Sequence, residues 1–181
     1  MSKFNLHKGI YQFGDLGLSH FKASDFQGDG YVQRSYSGSK NKDKLVAESN
    51  QNSALSGFDD ADTLCGALGD DYLDGGRGDD TLIFNGGRDV LTGGEGRDTF
   101  AIDLERLTIE DTATIADFKD IGDKIEFFNV DPHLSMDIGV DGSAMVTANL
   151  GSGQRSVVAV LTGLEGDEVF AVGNSSIELI G

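Results

Sequence analysis

Between Gly57 and Ala101 the chain counts in nines. It divides there into GFDDADTLC, GALGDDYLD, GGRGDDTLI, FNGGRDVLT and GGEGRDTFA. Aspartate returns at the sixth place of every block, as Asp62, Asp71, Asp80, Asp89 and Asp98, and a large apolar residue follows two places later, as Leu64, Leu73, Leu82, Leu91 and Phe100. Glycine crowds the first four places. Such a unit reads as a turn followed by a short strand. The turn uses glycine because positive φ carries no Cβ clash there. The strand points its eighth-place side chain inward, since neighbours on a strand alternate faces. Two blocks then complete one coil of eighteen residues, stacking the turns of blocks one, three and five on one edge and those of two and four on the other. A Gly/Asp-rich acidic stretch would read as a solvated linker on composition alone. A linker has no reason to keep an apolar ladder in register.

From Gly57 to Ala101 eleven acidic side chains face three basic ones, Arg77, Arg88 and Arg97. Stacking those turns bare would bring carboxylates together in a dry cleft, at a cost of several kcal/mol each. Blocks three and five match G-G-x-G-x-D-x-U-x at every specified place, and the segment resembles the calcium-binding nonapeptide repeat of RTX (repeats-in-toxin, hemolysin-type) proteins. The resemblance implies an all-β fold, a parallel β-roll with a C-terminal β cap of antiparallel strands. It implies Ca²⁺ as the cofactor, which takes about six to eight oxygens from carboxylates and backbone carbonyls. In that family one turn offers the carbonyls of its second and fourth residues and its Asp, and the turn one coil later offers its first and third carbonyls and its Asp.

The expected ligands are therefore Asp62, Asp71, Asp80, Asp89 and Asp98. The turn residues Gly57, Asp59, Asp60, Gly66, Ala67, Leu68, Gly69, Gly75, Gly76, Arg77, Gly78, Asn85, Gly86, Gly87, Gly93, Gly94, Glu95 and Gly96 join them, mostly through their carbonyls. This register allows about three ions, shared by blocks one and three, three and five, and two and four. Three Ca²⁺ would offset six charges, so the stretch is expected to be disordered without calcium and to fold as it binds. Ala67 in place of a second glycine, Asp60 in place of a fourth, and Phe84-Asn85 leading block four mark the sites most open to change.

The whole chain has 181 residues, a net charge of −17 and a pI near 4.2. That charge argues against nucleic acid and anionic membrane surfaces as partners. No window approaches a membrane span. Cys65 is the only cysteine, so no internal disulfide forms. The start, MSKFNLHKGIYQFG, has no apolar core of the kind a Sec signal needs.

Residues 1–47 read as an N-terminal segment, with short strands at Ile10–Phe13 and Tyr31–Gln33 and a flexible linker or exposed loop over Ser35–Lys44. Asp25–Gly30 echoes the start of an EF-hand loop, but its twelfth position is Tyr36 rather than Glu. Residues 48–101 read as the roll, with 48–56 a degenerate first repeat that keeps Leu55 inward. Residues 102–181 read as the cap. Leu104–Thr108 suggests a helical turn, and Thr112–Phe118 and Gly122–Phe128 suggest strands. Phe100, Ile115, Asp117, Phe118, Asp123, Lys124 and Ile125 resemble the element that closes the roll in RTX proteases and in the R-modules of alginate epimerases. That likeness makes Asp117 and Asp123 candidates for one more calcium. Ser135–Val140 and Ser143–Leu150 flank Asp141-Gly142, a strong hairpin signal. Ser156–Leu161 and Glu168–Val172 follow as strands. The ending SIELIG resembles the terminal signal of RTX proteins exported by type I systems, which implies a secreted, extracellular or cell-surface protein without a cleaved leader.

No catalytic constellation stands out. The chain lacks H-E-x-x-H and G-x-S-x-G, and His7, His20 and His133 show no zinc spacing. The expectation is a non-enzymatic chain, with three functional readings. The first is a calcium-dependent folding and secretion module. The second is a polysaccharide-binding module using Arg77, Arg88, Arg97 and Tyr72, although those arginines are more simply read as charge relief among the carboxylates. The third is a protein-binding partner of a co-secreted enzyme, with residues 1–50 as the interacting arm.

Overall fold

The computed structural model describes residues 11–12, 31–32, 34–48, 50–118, 122–128, 134–138, 143–150, 155–162, 164, 169–172 and 176–180. Their regular elements are all strands, and no helix among them is long and apolar enough to cross a membrane. Tyr11–Gln12 (β1) and Tyr31–Val32 (β2) pair antiparallel. The chain then winds through five two-stranded coils. These are Arg34–Ser37 (β3) with Lys44–Val46 (β4), Ser53–Asp59 (β5) with Thr63–Cys65 (β6), Tyr72–Arg77 (β7) with Thr81–Phe84 (β8), Arg88–Glu95 (β9) with Thr99–Asp103 (β10), and Thr112–Ile115 (β11) with Lys124–Phe128 (β12). The odd strands form one parallel ladder and the even strands another. Through the repeats each residue pairs with the one eighteen places on, as Thr63 with Thr81 and Thr81 with Thr99.

The cap continues both ladders. Ser135–Ile138 (β13), Ala144–Asn149 (β14) and Arg155–Leu161 (β15) extend the odd sheet; Val169–Val172 (β16) and Ser176–Ile180 (β17) extend the even one. β15 lies parallel to β11, so the parallel ladder runs one strand further before β14 and β13 turn it antiparallel. The β13–β14 pairing joins Ile138 to Ala144. Asp141 and Gly142, the expected hairpin turn, lie outside the described residues, as do His7, His20 and His133. Leu104–Arg106 forms a turn, with the Arg106 amide donating to the Asp103 carbonyl.

One expectation is corrected. Ser35–Lys44, expected as a linker or loop, supplies most of strand β3 and the start of β4, with Ser37, residues 39–42 and Lys44 exposed. Arg34 pairs with Ser53 and Lys44 with Thr63, so the parallel stack begins a full coil before residue 48. The cause is an inward pair, Tyr36 and Leu45, that packs against the core and continues the apolar ladder of the repeats. The polar, basic composition of the turn between them hid that pattern.

The core fills the space between the sheets. Leu55, Leu73 and Leu91 face in from one sheet and Leu64, Leu82 and Phe100 from the other, all fully buried. Ile115 and Ile125 add the next rung, and the Phe118 ring lies 6.0 Å from that of Phe100, closing the apolar stack towards the cap. Within the repeats this ladder supplies the large fully buried leucines. Leu82→Ala is therefore expected to cost about 2–5 kcal/mol of unfolding free energy in calcium buffer. Leu68→Ala, at a half-exposed turn position, should stay within about 0.5 kcal/mol. Urea denaturation followed by circular dichroism checks both.

Candidate metal centre

The turns 38–43, 57–62, 75–80 and 93–98, each joining an odd strand to the next even one, stack along one edge of the roll. The turns 66–71 and 85–89 stack along the other. On the first edge the aspartates form a ladder. The amide of Asp43 donates to Asp62 Oδ1 at 2.7 Å, that of Asp62 to Asp80 at 2.7 Å, that of Asp80 to Asp98 at 2.9 Å, and that of Asp98 to Asp123 at 2.8 Å. On the second edge Ser53 donates to Asp71 and Asp71 to Asp89 in the same way. Each carboxylate thus spends one oxygen tying its coil to the coil before it.

The other oxygen is the chemically informative one. Oδ2 of Asp62, Asp80, Asp89 and Asp98 is buried and has no hydrogen-bond partner. An unpaired buried carboxylate oxygen is costly, so each of these is expected to take up a proton or a cation. Oδ2 of Asp80 lies where a side chain on Gly75 would start, and the carbonyl of Gly93 in the next turn reaches within 2.6 Å of the same point. Gly57 has the same surroundings from Asp62 and the Gly75 carbonyl. The carbonyls of Phe58 and Asp60 face Gly76 and Gly78, and those of Gly76 and Gly78 face Gly94 and Gly96. These approaches leave no room for a Cβ. Among the described residues no three His, Cys, Asp or Glu side chains converge. A cation here must take most of its oxygens from the backbone, which suits a hard ion such as Ca²⁺.

The remaining candidate residues fall into different roles. Arg77 and Glu95 point outward: Arg77 sits between Asp59, at 3.7 Å, and Glu95, at 3.4 Å. Arg88 pairs with Asp70 and Arg97 with Asp79, each one coil apart. Leu68 is half exposed, with its side chain near Gly86. Ala67 donates its amide to Asp71 Oδ2 at 2.8 Å. Asn85 Nδ2 donates to the Gly66 carbonyl at 3.2 Å, Gly87 donates its amide to Asp111 at 2.9 Å, and the Gly69 carbonyl abuts Gly87. Asp117 accepts from the amides of Gly93 and Gly94, both at 2.9 Å, and so covers the last turn of the repeats. Asp123 is buried and holds the end of the ladder.

Two residues escaped the sequence reading, Asp43 and Gly38. Their spacing, Gly38-x4-Asp43-x-Leu45, repeats the outline of the motif with nineteen rather than eighteen residues to the next copy. The lysines at 40, 42 and 44 disguised it.

Burial governs the acidities. It pushes the carboxyls of Asp71 and Asp80 up to about 6 and that of Asp98 up to about 7. Asp62 is raised, and Asp89, with Asp71 beside it, is raised well above the usual range. A folded-state pKa above the unfolded one contributes stability below about pH 4 that is lost as pH rises through 6 to 7. In calcium-free buffer the protein should therefore hold more strand structure at pH 5 than at pH 8. Equal or weaker strand signal at pH 5 in circular dichroism would contradict the burial argument.

Comparison with known proteins adds a family. The model of the RTX calcium-binding nonapeptide repeat matches residues 56–91 and 74–101. No curated protein matches the chain. Among solved structures, the AlgE6R3 subunit from the Azotobacter vinelandii mannuronan C5-epimerase is 25% identical over 68% of this chain and 72% of that one, with a TM-score of 0.40. The aspartate ladder, the glycine turns that face one another and the inward leucines of residues 56–101 together are RTX calcium-binding repeats built into a β-roll.

Proposed function

We propose that the protein is a secreted, non-enzymatic roll that folds as it takes up extracellular calcium and that serves as a folding and export module. The observation that carries this reading is the set of buried, unpartnered Asp Oδ2 atoms, with carbonyls of the next turn beside those of Asp62 and Asp80. Without a cation those oxygens, and the acids around them, oppose stacking. With one, the same oxygens hold successive coils together, so binding and folding share one free energy. A chain kept unfolded where calcium is scarce and folded where it is abundant suits export in an extended state. In this reading the roll begins at Arg34.

The polysaccharide reading loses its support. Tyr72 is fully buried, and Arg77, Arg88 and Arg97 are each engaged with carboxylates one coil away. No observation favours a co-secreted partner over the folding module.

Circular dichroism during a calcium titration at neutral pH tests the proposal. Strand signal should be weak in EDTA and rise cooperatively, with a midpoint on the order of 10⁻⁴ to 10⁻³ M, the range of extracellular modules. Full strand content in EDTA, unchanged up to roughly ten times the top of that range, would sink it.

A further inference from the structure

The aspartates of the roll share one place in the turn but are not presented alike. In the turns 57–62, 75–80 and 93–98 the second residue takes positive φ, 85° at Phe58, 105° at Gly76 and 103° at Gly94. In those three turns Asp62, Asp80 and Asp98, each no more than 2% exposed, keep Oδ2 without a protein partner. In the turns 38–43 and 66–71 the second residues are Ser39 and Ala67, and neither has positive φ. There the amide of the second residue turns onto the carboxylate: Ser39 donates to Asp43 Oδ2 at 2.6 Å and Ala67 to Asp71 Oδ2 at 2.8 Å. The Ser39 hydroxyl adds a second bond to the same oxygen at 2.8 Å.

The sign of φ at this residue sets which way its peptide faces. An N–H aimed at the carboxylate satisfies it and fills the space a cation would take. Phe58 makes the contrast sharper. It is a bulky residue, 53% exposed, in a conformation such side chains rarely adopt. Its own packing gives no reason for that strain, whereas an open slot at Asp62 does. On the second edge the Gly66 carbonyl is also engaged, by Asn85 Nδ2. Asp89 Oδ2 therefore borders a slot in which Asp71 Oδ2 and the Gly66 carbonyl are already bonded. Around the Asp43 turn, Lys40, Lys42 and Lys44 bring positive charge where the next turn of that edge carries Asp59 and Asp60.

We infer that the roll binds its cations along one edge only, in slots headed by Asp62, Asp80 and Asp98, and that the Asp43 and Asp71 turns are cation-independent struts closed by the protein's own donors. The inference rests on the calcium reading above and deepens it.

Isothermal titration of the full chain with CaCl₂, with circular dichroism in parallel, tests it. The wild type should bind three ions, Asp80→Asn two, and Asp43→Asn and Asp71→Asn three each. Loss of an ion in Asp43→Asn or Asp71→Asn, or a wild-type count above three, would overturn the inference. Should Asp80→Asn fail to fold, Ser39→Gly decides. It removes the hydroxyl and gives the second residue access to positive φ, so the count should rise to four, and a count still at three overturns the inference. A wild type that binds no calcium at all defeats the proposed function itself, whereas binding with the wrong distribution defeats only the assignment of edges.

Discussion

The structure depends on a hydrogen bond from an aspartate amide to the carboxylate of the aspartate one coil later. Repeated from Asp43 through Asp62, Asp80 and Asp98 to Asp123, it holds the even-strand edge of the roll in register over five coils. Each bond puts a carboxylate in a dry place beside others of like charge. Hydrogen bonds donated to charged acceptors are strong, yet they use one oxygen of each pair. The geometry that aligns the coils therefore creates the unmet demand at Oδ2, and alignment and cation affinity come from the same side chains.

The outer surface relieves part of the same repulsion. Asp59, Arg77 and Glu95 form a row across three coils, and Arg97 and Arg88 reach back to Asp79 and Asp70. The Arg97 guanidinium holds the Asp79 carboxyl below its usual range, the reverse of what burial does to Asp80 beside it. Exposed pairs of this kind contribute little individually. Their placement explains why three arginines recur in an otherwise acidic stretch, and among the described residues it leaves Oδ2 of Asp62, Asp80, Asp89 and Asp98 buried without a partner.

Much of this was legible in the chain because period and alternation are local properties. Nine-residue spacing fixes which leucines face inward, and doubling it fixes which turns share an edge. The first coil was less legible. Gly38, Asp43 and Leu45 keep the outline of the motif, but one extra residue and three lysines break its composition. Asp117 was also ambiguous. An acid near the roll's end can serve as a ligand or as a cap, and only its two bonds from Gly93 and Gly94 show it covering the last turn.

The sequence alone determined the coil, its inward ladder and the affinity for a hard cation, since these follow from residue type and period. The tertiary structure decided which carboxylate oxygens are open to one. In the turns of Asp43, Asp62, Asp71, Asp80 and Asp98 that follows the direction of the peptide at the second place, positive in φ at Phe58 and not at Ser39 or Ala67. A phenylalanine there gives no hint of the glycine-like conformation it adopts. The turn stacked above accommodates it, since the Phe58 carbonyl lies where a Cβ on Gly76 would be.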